Sequence, residues 1–288
     1  MRRNSPGGSH LVGGTGGEAV IGRGVELAHD HHVALRASDF RIPRGRITSV
    51  IGPNGSGKST LLHAIAGLLE PRAGKLTVHA SVDRTRPSIA YVLQATRVNE
   101  SIPVTVREVV AMGRYARLGF FRRFDDEDRL ACGRAMEQLE ILDLASSHLD
   151  ELSGGQRQRV FVAQGLAQHA DVLLLDEPIT GLDLLSTDRI LEAIAAERER
   201  GVAIVMTTHD LGEAMTADHL LLLAGRVVAE GPPAEVLTPE RLGEAYGVRV
   251  TDAGALVLDD PHHRVGPGRH VHFDRTGHEH PDAPESRP

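Results

Sequence analysis

The chain has 288 residues, 41% of them apolar and 25% charged, enough for one sizeable core with a small appended part. With 32 Lys and Arg against 39 Asp and Glu, a formal charge of −7, 3% aromatics and no Trp, a nucleic-acid-binding face is argued against. Cys132 is the only cysteine, which excludes an internal disulfide and points to a reducing compartment, and no apolar run reaches the ~18 residues of a membrane span. The N-terminus carries two arginines without an apolar segment behind them, so no signal peptide is expected and a cytoplasmic location is.

Residues 1–18, rich in Gly and polar residues, predict a disordered leader. Its glycines at 13, 14, 16 and 17 follow no strand and so make no dinucleotide fingerprint. Strand-like triplets at 19–21, 25–27, 33–35 and 40–42, two of them with a charged residue between apolar ones, predict short strands of an antiparallel sheet. Ile47–Ile51 is a further strand, and Thr60–Leu69 a helix with Leu61, Leu62, Ile65 and Leu68 on one face. Gly74–Val82 and Ile89–Leu93 continue as strands. Residues 104–170 carry no strand signal, and helical spacing over Val106–Gly113 and Glu127–Leu142 predicts a helical insertion at about 97–168. Val172–Leu175 and Val202–Met206 are continuous apolar runs, as in parallel strands covered on both faces, with an amphipathic helix over Thr187–Arg200 between them. Leu220–Leu223 and Val227–Ala229 predict a hairpin through Gly225 and Arg226. Residues 259–288 predict a disordered, His-rich tail; no internal repeat is present.

Gly52-Pro53-Asn54-Gly55-Ser56-Gly57-Lys58-Ser59-Thr60 lies between a predicted strand and a predicted helix. The glycines let successive N–H groups converge on one anion, Lys58 adds a point charge, and the Ser59 hydroxyl suits Mg2+. Asp176 ends the run Val172–Leu175, where ligands of parallel sheets bind, and Glu177 follows it facing the other way. Gln94 also ends a strand, with a neutral amide able to touch both a metal and a water. Ser153 stands as a helix cap before Gly154, Gly155 and Gln156, a second place for an anion.

These motifs, in this order, resemble the ATP-binding-cassette (ABC) ATPases over roughly residues 19–250. The resemblance implies an α/β fold: a P-loop NTPase core with a parallel sheet, an N-terminal antiparallel β subdomain and an inserted α-helical subdomain, together spanning 19–258. It implies ATP and Mg2+ as ligands, Glu177 as general base, His209 on the γ-phosphate, and Gln94 linking nucleotide to insertion, with Mg2+ held through Ser59, Gln94 and Asp176. It also implies that Ser153, Gly154, Gly155 and Gln156 act on the nucleotide of a second subunit, a homodimer, with Asp183 in the loop that crosses between them. The family's adenine-stacking tyrosine has no counterpart; the equivalent place falls at His29.

A single cassette without a membrane span resembles the ATPase of a transporter whose permeases are separate chains. The segments Ser101–Val106, Val109–Tyr115 and Arg117–Arg123 resemble the zinc and manganese importers, with zinc the first choice. That implies polytopic permease partners, an extracytoplasmic metal-binding protein, no nucleic acid, and a peripheral place on the cytoplasmic membrane face. Siderophore and haem importers share part of this stretch, and a soluble ABC ATPase acting on a macromolecule is the reading from another class. His262, His263, His270, His272, His278 and His280 crowd the tail; the pairs His270/His272 and His278/His280 have spacings suited to weak zinc chelation.

Overall fold

The computed structural model describes residues 17–30, 32–80, 88–93, 103–118, 123–250 and 256–258. β1 (Glu18–His29) and β2 (His32–Pro43) pair antiparallel. The four short strands expected here are two strands of 12 residues each. In β2 the mostly polar run from Arg36 to Asp39 continues the strand, and in β1 the misreading comes from glycines that are not turns. A Cβ on Gly22 would stand 2.3 Å from the Phe40 ring, so this glycine makes room for an aromatic side chain from the neighbouring strand. Gly24 takes φ 57° where the register shifts between Gly22 and Val25, a bulge rather than a reversal.

β3 (Ile47–Ile51) runs into α1 (Lys58–Ile65), which starts before the expected Thr60 and stops short of Leu68. Gly67 turns left-handed at φ 74° and ends it, leaving Leu68 70% exposed instead of on the apolar face. β4 (Ala73–Val78) returns to β1 and completes a three-stranded antiparallel sheet, β2-β1-β4.

After β5 (Ile89–Val92) come α2 (Val106–Leu118), α3 (Asp126–Gln138), a short 3-10 turn at Leu149–Glu151 and α4 (Gly154–Ala167). β6 (Val172–Leu175), α5 (Leu184–Glu199), β7 (Ala203–Thr207), α6 (Leu211–Met215), β8 (His219–Leu223) and β9 (Val227–Gly231) follow, then α7 (Pro233–Val236) and α8 (Pro239–Tyr246). The main sheet has the order β5-β6-β7-β3-β8-β9, parallel except for β9. The fold is α/β, as the sequence predicts. A compact unit ends at Tyr246; β10 (Val248–Val250) and β11 (Leu256–Leu258) form an antiparallel pair beyond it.

The central strands are buried on both faces, which is why their sequences read as unbroken apolar runs. Val172, Leu174, Val205 and Leu221 pack with α1 and the antiparallel sheet on one side. Leu173, Leu175, Ile204 and Met206 pack with the helices on the other. Each such side chain contributes roughly 1.5–3 kcal/mol of burial. No helix among the described residues is long and apolar enough to cross a membrane.

The Met112-Gly113-Arg114-Tyr115 run divides its work by helical position. Gly113 lets α2 approach α4, for a Cβ there would meet the Gln164 carbonyl oxygen at 2.2 Å. Arg114 is fully buried; its Nε donates to Asp128 Oδ1 at 2.8 Å and its Nη1 to the Ala167 carbonyl at 2.8 Å. Met112 and Tyr115 face outward. Asp128 has no solvent exposure, so Asp128→Ala leaves the buried guanidinium only the largely exposed Glu127, 3.6 Å from its Nη2, as counter-charge. That change should cost about 3–5 kcal/mol in urea unfolding; a loss under about 1 kcal/mol would show that the pair carries little.

Candidate active site

β3 delivers the chain to Gly52, whose φ of 151° places a hypothetical Cβ 2.2 Å from the Leu223 carbonyl oxygen. Gly57, at φ 102°, would meet the Ala34 carbonyl at 2.8 Å. No other residue fits these two positions. Gly57 also caps α1 without offering a side chain, and no acidic residue stands in the first turn. The first amides of α1 are therefore left for an external acceptor, and the helix dipole favours an anion there.

Lys58 Nζ donates to the carbonyls of Gly52 at 2.8 Å and Pro53 at 3.1 Å. Burial pushes its pKa down, while Glu177 and Asp176 pull it back up. Ser56 Oγ is buried inside the loop with no hydrogen-bond partner among the described residues. Such an orphan costs about 1–3 kcal/mol until something satisfies it. A curved row of donors, a lysine and an unpaired hydroxyl suit a polyphosphate. Asn54 and Gly55 stand exposed at the loop tip, so the cradle is reached from solvent.

The parallel register brings a second group to the same sheet edge. Leu175 pairs with Met206, and Val50 with Thr207, so Asp176 and Thr207 meet one step further on. Asp176 is 3% exposed. Its Oδ1 accepts from Thr207 Oγ1 at 2.8 Å and lies 3.5 Å from Ser59 Oγ; its Oδ2 lies 3.5 Å from the Tyr91 hydroxyl. Glu177 has φ 50°, costly for a side chain with a Cβ by roughly 1–2 kcal/mol. Its amide donates to Thr207 Oγ1 at 2.9 Å. A carboxylate facing the Ser59 hydroxyl is a donor set that fits Mg2+.

His209 is exposed two residues past Thr207. Its neighbours are fixed: Thr208 Oγ1 donates to Glu213 Oε2 at 2.6 Å, and Asp210 caps α6. His29 ends β1 with Nε2 3.2 Å from the Thr60 hydroxyl, which brings it to the first turn of α1. Loop, Asp176, Glu177 and His29 thus gather around α1.

Ser153 to Gln156 stand elsewhere, at the start of α4, which packs on α2, α3, α5 and β5. Ser153 and Gln156 form a reciprocal cap, Gln156 N to Ser153 Oγ at 3.2 Å and Ser153 N to Gln156 Oε1 at 2.9 Å. Gly154 has open space about it, whereas a Cβ on Gly155 would meet Ser186 Oγ at 2.4 Å. Asp183 caps α5 through Ser186 N at 2.8 Å, and that bond together with the Ser186 hydroxyl lowers its pKa. The starts of α4 and α5 are therefore locked side by side.

Gln94, Phe120, Phe121 and the tail histidines His262, His263, His270, His272, His278 and His280 lie outside the described residues. Among the described residues no group of three His, Cys, Asp or Glu could hold a metal ion. Sequence reasoning missed Thr207 and Tyr91. Thr207 is a polar residue closing an apolar strand, and that is the signal it offered.

Residues 35–180, half of the chain, match the family described as ABC transporter. The chain is 37% identical over 227 residues to the manganese transport system ATP-binding protein MntB of Listeria innocua serovar 6a, covering 78% of this chain and 95% of that one. It is 39% identical over 229 residues to the zinc transport system ATP-binding protein TroB of Treponema pallidum, covering 79% and 86%. A chain of an inward-facing ABC transporter described as of metal-chelate type superposes with a TM-score of 0.71 at 28% identity, over 81% of this chain and 90% of that one. The matched segment holds the phosphate loop, the cap of α4 and the Asp176–Glu177 pair, and with the fold and these relatives in agreement the chain belongs to the ABC transporter family, as an ATP-hydrolysing subunit.

Proposed function

We propose that this chain is the ATPase of an importer for a divalent transition metal, zinc or manganese, with zinc the first choice, working beneath separate permeases that take cargo from an extracytoplasmic binding protein. The observation that carries the metal reading is the 37–39% identity, over most of each chain, to proteins named for manganese and zinc transport. Exposed Met112 and Tyr115 on α2 support a permease contact on the helical insertion. The site for hydrolysis lies on the cytoplasmic face in this reading.

The residues divide the chemistry as follows. The loop from Gly52 to Gly57, the first amides of α1 and Lys58 hold the triphosphate, and His29 lies against the base. Asp176 and Ser59 would hold Mg2+, with Gln94 completing the set; the ion supplies charge neutralisation on the terminal phosphates. Glu177 takes a proton from the attacking water, and His209 reaches the terminal phosphate. A second copy of the chain brings Ser153, Gly154, Gly155 and Gln156 to the open side of that phosphate, with Asp183 beside them. The second copy's contacts to the terminal phosphate then exist only in the closed pair and vanish on hydrolysis. About 5.5 kcal/mol of differential binding drives such an equilibrium from 1:99 to 99:1, and several charge-assisted hydrogen bonds at ~1.5–3 kcal/mol each supply it.

The test is uptake of radiolabelled zinc, manganese and a ferric siderophore by cells carrying either the intact chain or Glu177→Gln. Loss of zinc or manganese uptake alone is the expected result. Loss of the ferric chelate alone moves the chain to the siderophore group, a reading favoured by the metal-chelate type of the superposed transporter. An unchanged uptake of all three, with the chain absent from membranes, leaves the soluble ATPase.

A further inference from the structure

Thr207 links the carboxylate of Asp176 to the backbone amide of Glu177, the two acidic residues that the mechanism uses, and neither binding nor base chemistry has been assigned to it. It is completely buried at the end of β7. An amide can only donate, so the 2.9 Å bond from Glu177 N fixes Thr207 Oγ1 as acceptor. The single hydroxyl proton is then directed to Asp176 Oδ1 at 2.8 Å. One oxygen therefore does two things. It selects the orientation of a carboxylate that lies 3.5 Å from Ser59 Oγ, and it ties down the amide of a glutamate held at φ 50°.

We propose that Thr207 is a positioning residue for ATP hydrolysis: its hydroxyl aims Asp176 at the metal place beside Ser59 and holds the left-handed backbone that presents Glu177. The inference rests on the assignment of Asp176 as metal carboxylate and Glu177 as base. The side chain is completely buried and acts through its neighbours. Thr208, next along, points its hydroxyl to Glu213 instead and shares none of this work. Valine at 207 would fill the same volume, leave the Glu177 amide without its partner, and let the Asp176 carboxylate turn. Serine would keep both bonds. Groups that orient a metal ligand typically govern metal affinity or activity by about 10- to 100-fold.

The experiment compares full-length Thr207→Val, Thr207→Ser and Asp176→Asn with wild type. Mn2+ is the probe, titrated by electron paramagnetic resonance with a non-hydrolysable ATP analogue present; nucleotide affinity is measured separately in EDTA. Thr207→Val should weaken Mn2+ binding by about 10- to 100-fold and lower turnover in step, with nucleotide affinity in EDTA within about twofold. Thr207→Ser should recover both. Mn2+ affinity in Thr207→Val within about twofold of wild type overturns the proposal, as does a Ser variant equally impaired, for then the methyl group matters and the hydroxyl does not. Asp176→Asn separates the two levels. If it binds Mn2+ normally, the metal assignment itself falls; if it loses Mn2+ while Thr207→Val keeps it, only the role of Thr207 falls. Should Thr207→Val fail to fold, Thr207→Ala against Thr207→Ser makes the same comparison.

Discussion

Glu177→Gln should bind ATP, stay folded and lose turnover by about 10²- to 10⁴-fold, the share that a positioned general base supplies. The change is isosteric, and both things that fix residue 177 survive it. The amide still donates to Thr207 Oγ1, and the φ of 50° belongs to the backbone. What is lost is the carboxylate's ability to take a proton. A loss of 10³-fold corresponds to about 4 kcal/mol in the barrier. Affinity for ATP should hold or tighten, because a negative charge near a triphosphate is removed. Trapped before hydrolysis, the closed pair should persist, so size exclusion with ATP should show a dimer for the variant and a transient one for wild type. Turnover within about threefold of wild type would remove Glu177 from the role of base.

Much of this site was readable in the sequence because its determinants are local. The loop needs glycine where φ is positive or a carbonyl stands close, and Gly52 and Gly57 satisfy both conditions. Strands β6 and β7 were legible because burial on two faces leaves an unbroken apolar run. Where the determinant is remote, the reading failed. Gly22 and a turn glycine look alike until the Phe40 ring is seen against it. Nothing local marks Arg114 as buried; its partner Asp128 lies 14 residues on in α3, and its other acceptor, the Ala167 carbonyl, ends α4. Thr207 and Thr208 are identical in sequence, and the pairing of β6 with β7 alone decides which one meets Asp176.

Ser153→Arg should leave ATP binding to the isolated chain unchanged and cut turnover by about 100-fold or more, comparable with loss of a transition-state donor. Local damage is too small to explain such a fall. Losing the Ser153–Gln156 cap costs about 1 kcal/mol, and a cation at a helix N-terminus a further ~0.3–1 kcal/mol, while α4 keeps its buried face of Val160, Phe161 and Leu166. Ser153→Ala provides the measure of the cap alone. In the proposed pair the large loss would arise because a long charged side chain occupies the gap where a partner's triphosphate closes on α4. Mixing chains distinguishes this from action within one chain. Ser153→Arg has a sound phosphate loop and a spoiled cap; Lys58→Ala has the reverse. If the two motifs met on one nucleotide within a chain, neither variant could rescue the other. If they meet across a two-fold pair, each mixed dimer holds one sound composite site, and an equal mixture of the two inactive proteins should recover up to about a quarter of wild-type turnover. A mixture as inactive as its components would separate the Ser153 cap from the site of hydrolysis.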